Sequence, residues 1–484
     1  MNTIQESLSF DDVLIEPRFS YVQSIKTVQL KSQLTKNISL YLPLISSPMD
    51  TITESNMAIH MASNGGLGII HRYNTIEYQV NEIKKVKRHL SFIIENPYTI
   101  LETETVNDLY RYIKKCNIHS FLVTNNNNEL CGIITNRDLN AHLMTDNSNE
   151  TLIKDIMTTS ENLHTVSNPI TRQEAIEIMN KYKIEKLPVV ESNKIIGLIN
   201  YKTLISYEMN KDKYSLDKNG KLLVGGAIGI VDDYLERAKA LVDAGCDLLG
   251  VDVANGYNTT VKQVIQKLKT LYPNVDIMSG NVCSPEGFEF LCKAGADCIR
   301  VGIGNGSICS TRLVTGVGSG QFTSLMKCRQ IARKYNVGMI SDGGHLGKDG
   351  NISKAFVVGS NAMILGKTIA ATDETPGNII FRNNRRVKSY RGMASAMAML
   401  SKAELTNKEY NNNNNQNPEG ADIEVEIKGP VKDILQRIES SIKSTMSYLG
   451  CHNTVKLREI ENEIVYNRQS SGVMNESSIR GKML

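Results

Sequence analysis

The stretch GIGNGSICSTRLVTGVGSGQ, from Gly302 to Gln321, sets one thiol, Cys309, inside a run of glycines. A free cysteine is usually a small buried hydrophobe, and that reading fits most of the nine in this chain. A thiol at the end of a glycine loop has different surroundings. Gly302, Gly304 and Gly306 allow backbone conformations closed to other residues and bring peptide groups close to a ligand or ion. Presented there, a thiolate can add to an electrophilic carbon, with the Thr311 hydroxyl for proton transfer and the Arg312 charge for thiolate stabilisation. Two further loops, SDGG (341–344) and LGK (365–367), have the glycine and lysine content that grips a phosphate. The implied substrate is a phosphorylated small molecule.

Positioning these loops falls to eight short apolar runs that end in Gly, Ser, Asp or Asn. They are LPLISSPMD (42–50), GGLGIIHR (65–72), LLVGGAIG (222–229), CDLLGVDVANG (246–256), VDIMSGNV (275–282), ADCIRVGIG (296–304), VGMISDGG (337–344) and NAMILGK (361–367). The last six alternate with helix-like segments such as DDYLERAKALVDAG (232–245), and strands alternating with helices predict a parallel sheet. Eight such units predict an α/β fold, the (β/α)8 TIM barrel. Its chemistry sits at the C-terminal strand ends, where the glycine loop follows strand six, SDGG strand seven and LGK strand eight.

Between the second and third runs the chain repeats itself. SFLVTNNNNELCGIITNRDL (120–139) and KLPVVESNKIIGLINYKTL (186–204) share a strand, a polar turn, a second strand entered through glycine, and a helix start. Gly132 and Gly197 lie 65 positions apart. Tandem units of this kind bury a shared face, so residues 92–208 are expected to form an inserted domain, with the barrel in 1–91 and 209–484. A ligand-free excursion is the plainer alternative. The asparagine runs Asn125–Asn128 and Asn411–Asn415 read as exposed loops, the second within a polar segment, about 400–430, where a flap over the barrel mouth is expected.

Composition narrows the classes. With 55 basic and 51 acidic residues and no Lys/Arg block, nothing tracks a nucleic acid backbone. The cysteines form no C-x-x-C pair and the opening MNTIQESLSFDD is no secretion signal, which points to a reducing compartment, by default the cytoplasm. The ending GKML is no peroxisomal address, and no apolar run nears the roughly 18 residues of a membrane span.

Taken together, FDDVLIEP (10–17), SSPMDTITE (46–54), GNV (280–282), GIGNGSICSTR (302–312), SDGG and YRGM (390–393) resemble the inosine-monophosphate dehydrogenase and guanosine-monophosphate reductase family. The resemblance covers nearly the whole chain. The insert resembles the tandem cystathionine-β-synthase-type (CBS) repeats of that family, with Asp138 of GIITNRDL implied in holding a regulatory nucleotide and Lys202 standing at the matching place in the second copy. The resemblance makes Cys309 the nucleophile that attacks C2 of the purine and forms a covalent thioimidate. It implies that Ser47, Met49, Arg300, Ser307, Asp342, Gly343 and Gly344 hold the nucleotide, together with Gly366, Lys367, Tyr390, Gly392 and Met393. Asp252 and Asn255 are implied at the nicotinamide cofactor. The carbonyls of Gly304, Gly306 and Cys309 match a monovalent-cation (K+) loop, the alternative being that they only shape the turn.

Three features favour GMP reductase with NADPH over IMP dehydrogenase with NAD. The dehydrogenases hydrolyse the thioimidate with a flap Arg-Tyr pair, yet no arginine lies between Met393 and Val431, and the nearest match is KEY (408–410). DVANGYN (252–258) resembles the reductase pattern, and PEG places Glu419 where reductases keep a glutamate paired with the threonine, here Thr311. Length, insert and flap span are more dehydrogenase-like, so IMP dehydrogenase is the alternative; a non-catalytic purine-nucleotide sensor would require Cys309, Thr311 or Asp342 to be missing. The family also implies a homotetramer, able to pair into octamers through the insert.

Overall fold

The computed structural model describes residues 4–90, 92–95, 97–116, 118–145, 148–405, 418–470 and 473. Each of the eight apolar runs contains one barrel strand: β1 (Leu44–Ser46), β2 (Leu67–Ile70), β3 (Val224–Ile228), β4 (Leu248–Val251), β5 (Asp276–Val282), β6 (Cys298–Val301), β7 (Gly338–Asp342) and β8 (Ala362–Leu365). They close in chain order, every neighbour parallel, with β8 beside β1. The expected TIM barrel is the observed fold. The helices that cover it are α1 (Ser55–Ser63), α2 (Ile76–His89), α3 (Tyr234–Asp243), α4 (Thr259–Leu271), α5 (Pro285–Ala294), α6 (Gln321–Tyr335), α7 (Asp349–Val358) and α8 (Val431–Tyr448).

The runs were apolar at successive positions because parallel strands are buried on both faces. β2, β3, β4 and β6 are buried at every residue. Inward side chains such as Ile45, Ile69, Leu248, Met278, Ile340 and Ile364 fill the barrel, and Leu34 and Leu40 belong to the same cluster. Helix starts are written locally. Asn258 accepts from the Thr260 N–H at the start of α4, and Ser284 accepts from Gly287 N–H with Pro285 in the first turn of α5.

After β8 comes an antiparallel sheet of Ile380–Arg382, Arg385–Arg391 and Asp422–Glu426. The segment expected as a flap therefore holds a helix, Ala396–Leu405, and a paired strand, while KEY (408–410) and Asn411–Asn415 lie outside the described residues. No helix among the described residues is long and apolar enough to cross a membrane.

Leu90–Asp212 is a second compact unit. Its repeats are visible in three dimensions. Ser120–Thr124, Leu130–Thr135 and the helix Asn136–Thr145 correspond to Lys186–Glu191, Lys194–Asn200 and the helix Tyr201–Asn210. Leu122, Leu130, Ile133 and Leu198, drawn from both copies, share one buried cluster. The spacing of Gly132 and Gly197 has a steric cause. A Cβ on Gly132 would overlap the Thr158 carbonyl, and one on Gly197 would overlap Ile93, each on the strand added beside its hairpin.

Candidate active site

The glycine loop leaves β6 through Gly302 (φ +142°) and Gly304 (φ +71°). A Cβ on Gly302 would overlap the Asp342 carbonyl, so only glycine lets the loop lie against the end of β7. Asn305 laces the two together: its Nδ2 donates to Asp342 O at 2.8 Å and its carbonyl accepts from Gly344 N–H at 3.0 Å. Residues 418–421 then dock on the loop, with Ser310 N–H donating to Glu419 O at 3.1 Å and Ala421 N–H to Ile308 O at 2.9 Å.

That docking brings Cys309, Thr311 and Glu419 into a row. Cys309 Sγ lies 3.2 Å from Thr311 Oγ1, which donates to Glu419 Oε2 at 2.7 Å. Because the Thr311 proton is committed to the carboxylate, the hydroxyl oxygen faces the thiol as an acceptor, and the three groups can pass protons to and from a ligand at the sulfur. Burial pushes the Cys246 and Cys292 thiols up to about 12 and raises Cys298 and Cys328 as well, which keeps them protonated. Among the described residues Cys309 is the one thiol lining either of two cavities that meet at it.

The first cavity, about 210 Å³, is walled by Ser307, Gly343, Gly344, Gly366, Lys367 and Tyr390, with Ser47, Met49, Gly392 and Met393. Gly343 (φ +78°) and Gly344 (φ +81°) form a turn that no side-chain residue follows easily. Burial lifts the Tyr390 phenol to about 12, opposed by its hydrogen bond to Ser307. Nearby, Lys428 donates to the carbonyls of Lys367 and Thr368. Burial, then the charges of Lys367 and Arg437, lower Lys428 to about 8. Hydroxyls, a double-glycine turn and crowded positive charge suit a phosphate.

The second cavity, about 410 Å³, lies on the other side of Cys309 and takes in Arg72, Tyr73, Asp252, Asn281, Arg300 and Asp342. Arg300 is 4% exposed; it donates to Asp252 Oδ1 at 2.9 Å and stands 3.9 Å from Asp342 Oδ2. Burial alone would raise both carboxyls. Arg300 and Arg72 overcome it at Asp252, which is lowered, whereas burial wins at Asp342, which is raised. Asn281 Nδ2 donates to Asp342 Oδ2 at 2.9 Å and Gly302 O at 2.7 Å. Among the described residues Asn281 Oδ1 and Arg300 Nε are buried without a hydrogen-bond partner, and a carboxamide, carrying both donor and acceptor, fits such a wall.

Four sequence-derived assignments have partners in three dimensions that the sequence did not show. Arg300 lines the second cavity, not the first, where it pairs with Asp252 and stands beside Asp342. Asn255 lines neither cavity; its Oδ1 accepts from Tyr257 N–H at 3.1 Å. The Gly306 carbonyl accepts from Cys309 N–H at 3.1 Å, so shaping the turn accounts for it, while Gly304 lines the second cavity. In the inserted unit Asp138 accepts from Thr135 N–H at 2.9 Å and Oγ1 at 2.7 Å, closing the start of its helix. Sequence reasoning missed Asn281, Asn305, Arg72 and Tyr73. Arg72 and Asn281 lie at the ends of quoted runs and Tyr73 and Asn305 directly follow one, and strand-end polar residues in a barrel were the available signal.

The chain matches the family described as IMP dehydrogenase / GMP reductase domain over residues 7–479. It is 39% identical to inosine-5'-monophosphate dehydrogenase of Nitrosopumilus maritimus over 459 residues, 94% of each chain. With the enzyme of that name from Bacillus subtilis it shares 40% over 474 residues, 98% of this chain and 95% of that one. A solved structure of a Cys-to-Ala variant of GMP reductase from Trypanosoma brucei, in complex with guanosine 5'-monophosphate, superposes with a TM-score of 0.87 at 36% identity, covering 99% of this chain and 98% of that one. A match that starts at residue 7 and ends at residue 479 takes in barrel and insert alike, and the chain therefore belongs to the IMP dehydrogenase / GMP reductase family of oxidoreductases.

Proposed function

We propose that the protein is a GMP reductase, converting GMP and NADPH to IMP, ammonia and NADP+. The observation that carries this reading is the Cys309, Thr311, Glu419 row. The phosphate binds the double-glycine turn with Ser307 and Tyr390, and Asp342 takes the ribose hydroxyls. The Cys309 thiolate adds to C2 of the purine. The proton lost by the thiol is held by Glu419, and Thr311 relays it to the 2-amino group, taking a proton from the Glu419 carboxyl as it gives its own; the C2–N bond breaks, ammonia leaves and the C2–S bond remains as the thioimidate. Asn281, Arg72 and the Arg300–Asp252 pair would hold the carboxamide of NADPH, which when bound would supply the hydride to C2. The C2–S bond then breaks, the thiolate departs and IMP is formed. Water must be excluded throughout, since hydrolysis of the thioimidate gives XMP instead.

The inserted unit is proposed as a CBS pair that binds a regulatory purine nucleotide at the first copy, near Asp138. IMP dehydrogenase remains the second reading, favoured by one observation: relatives 38–40% identical over 94–98% of this chain carry that name. GMP with NADPH, set against IMP with NAD, separates the two. Consumption of NADPH with ammonia release supports the reductase; sustained XMP formation supports the dehydrogenase.

A further inference from the structure

Gln321 and the segment FDDVLIEP have no part in the chemistry above, yet both are built into the site. Gln321, the first residue of α6, is 1% exposed. Its Nε2 donates to Val301 O at 2.7 Å, where the catalytic loop begins, while its own backbone is where that loop ends. The same Nε2 donates to Ser341 Oγ at 3.2 Å, and Ser341 Oγ is 3.2 Å from His345 Nε2. His345 follows the double glycine and lines the first cavity. Burial pushes its imidazole down to about 4, so it joins this chain neutral, one ring nitrogen able to donate and the other to accept.

A second bridge spans the same two loops from outside. Ser7 and Leu8 hold the end of the catalytic loop: Gly320 N–H donates to Ser7 Oγ at 2.7 Å, and Leu8 N–H to Thr323 Oγ1 at 2.7 Å. Phe10 stacks on His345 with ring centroids 5.6 Å apart, and Asp11 accepts from Lys348 at 2.8 Å and Asn351 at 2.9 Å. Both bridges end on His345. A side chain packed and bonded on two sides has little freedom to settle independently of either loop.

We propose that His345 is a positioning residue, and that the Gln321–Ser341–His345 chain carries occupation of the phosphate-binding turn to the loop that presents Cys309. Filling the turn fixes His345, and Gln321 then holds the two ends of the catalytic loop together. The inference rests on the phosphate-binding role proposed for the first cavity and is independent of which reaction the enzyme performs.

Ribose 5-phosphate tests it, because it fills the phosphate turn and leaves the purine site open. Its binding to the full-length protein is measured by equilibrium dialysis, and the rate of Cys309 alkylation by iodoacetamide is followed by peptide mass spectrometry with and without it. In the wild type we expect at least a threefold change in alkylation rate. His345→Phe, which keeps the stacking on Phe10 and loses the ring nitrogens, and Gln321→Met should bind the sugar phosphate yet show less than a 1.5-fold change. His345→Gln, which restores a nitrogen toward Ser341, should recover the response. With GMP as substrate, His345→Phe should lower kcat about tenfold and move KM less than threefold. A response in His345→Phe and Gln321→Met equal to the wild type's overturns the proposal, as does a loss confined to thermal stability. Failure of the wild type to bind ribose 5-phosphate overturns the phosphate site itself and the coupling with it.

Discussion

A threonine hydroxyl has one proton to give, and here it goes to Glu419 at 2.7 Å, leaving an oxygen lone pair toward the Cys309 sulfur at 3.2 Å. Replacing the carboxylate by an amide keeps the shape and removes the charge. Glu419→Gln is therefore expected to lower kcat about 10²-fold, the usual weight of one acid–base group, and to slow ammonia release more than hydride transfer. Quenched-flow measurement of ammonia and NADP+ in a single turnover checks it: with deamination slowed, NADP+ should appear together with ammonia, and a burst of ammonia ahead of slow NADP+ formation contradicts it. Cys309→Ala should abolish turnover and still bind GMP, because the phosphate and ribose contacts come from other residues; a rate within tenfold of wild type contradicts covalent catalysis. Cys309, Thr311 and Glu419 could be singled out in the sequence because their types carry the chemistry. Asn281 could not: its role comes from two bonds, to Asp342 and Gly302, that exist only once β5, β6 and β7 lie side by side. At Asn255, likewise, the Oδ1 bond to Tyr257 N–H exists only once the turn after β4 has formed.

At the scale of elements, the barrel was readable because strands buried on both faces must be apolar at successive positions, and all eight quoted runs contain one. The sheet after β8 was not, since its strand Arg385–Arg391 mixes charged and buried residues and forms no apolar run. The loops between strands impose stricter demands. Gly302→Ala puts a methyl into the Asp342 carbonyl at φ +142°, and we expect about 1–3 kcal/mol of destabilisation with loss of activity, measurable by urea unfolding. His345 gives the element a pH dependence. Its folded value, about 4, is below the unfolded 6.5, so the unfolded chain takes up the proton first as pH falls. Its contribution to stability is constant above pH 7 and declines from about 6.5 toward 4, by about 3 kcal/mol at the most. His345→Phe should flatten that part of the urea-midpoint profile; an unchanged profile contradicts the neutral, buried imidazole.

For the whole molecule, the chain divides into the barrel unit and Leu90–Asp212, each with its own buried clusters. The repeat was visible through Gly132 and Gly197, although the reason for them, a third strand pressed against each, was not. Deleting the insert should leave a folded, active barrel that purine nucleotides no longer regulate; a deletion protein that fails to fold contradicts independent units. The central claim, reductive rather than oxidative turnover, is tested most directly by one assay of the full-length enzyme, with reduced nicotinamide and XMP both followed. With GMP and NADPH the account predicts steady oxidation of NADPH with one ammonia released per IMP formed, and with IMP and NAD+ at most a stoichiometric burst of NADH. Steady XMP production from IMP would contradict it and make the protein an IMP dehydrogenase.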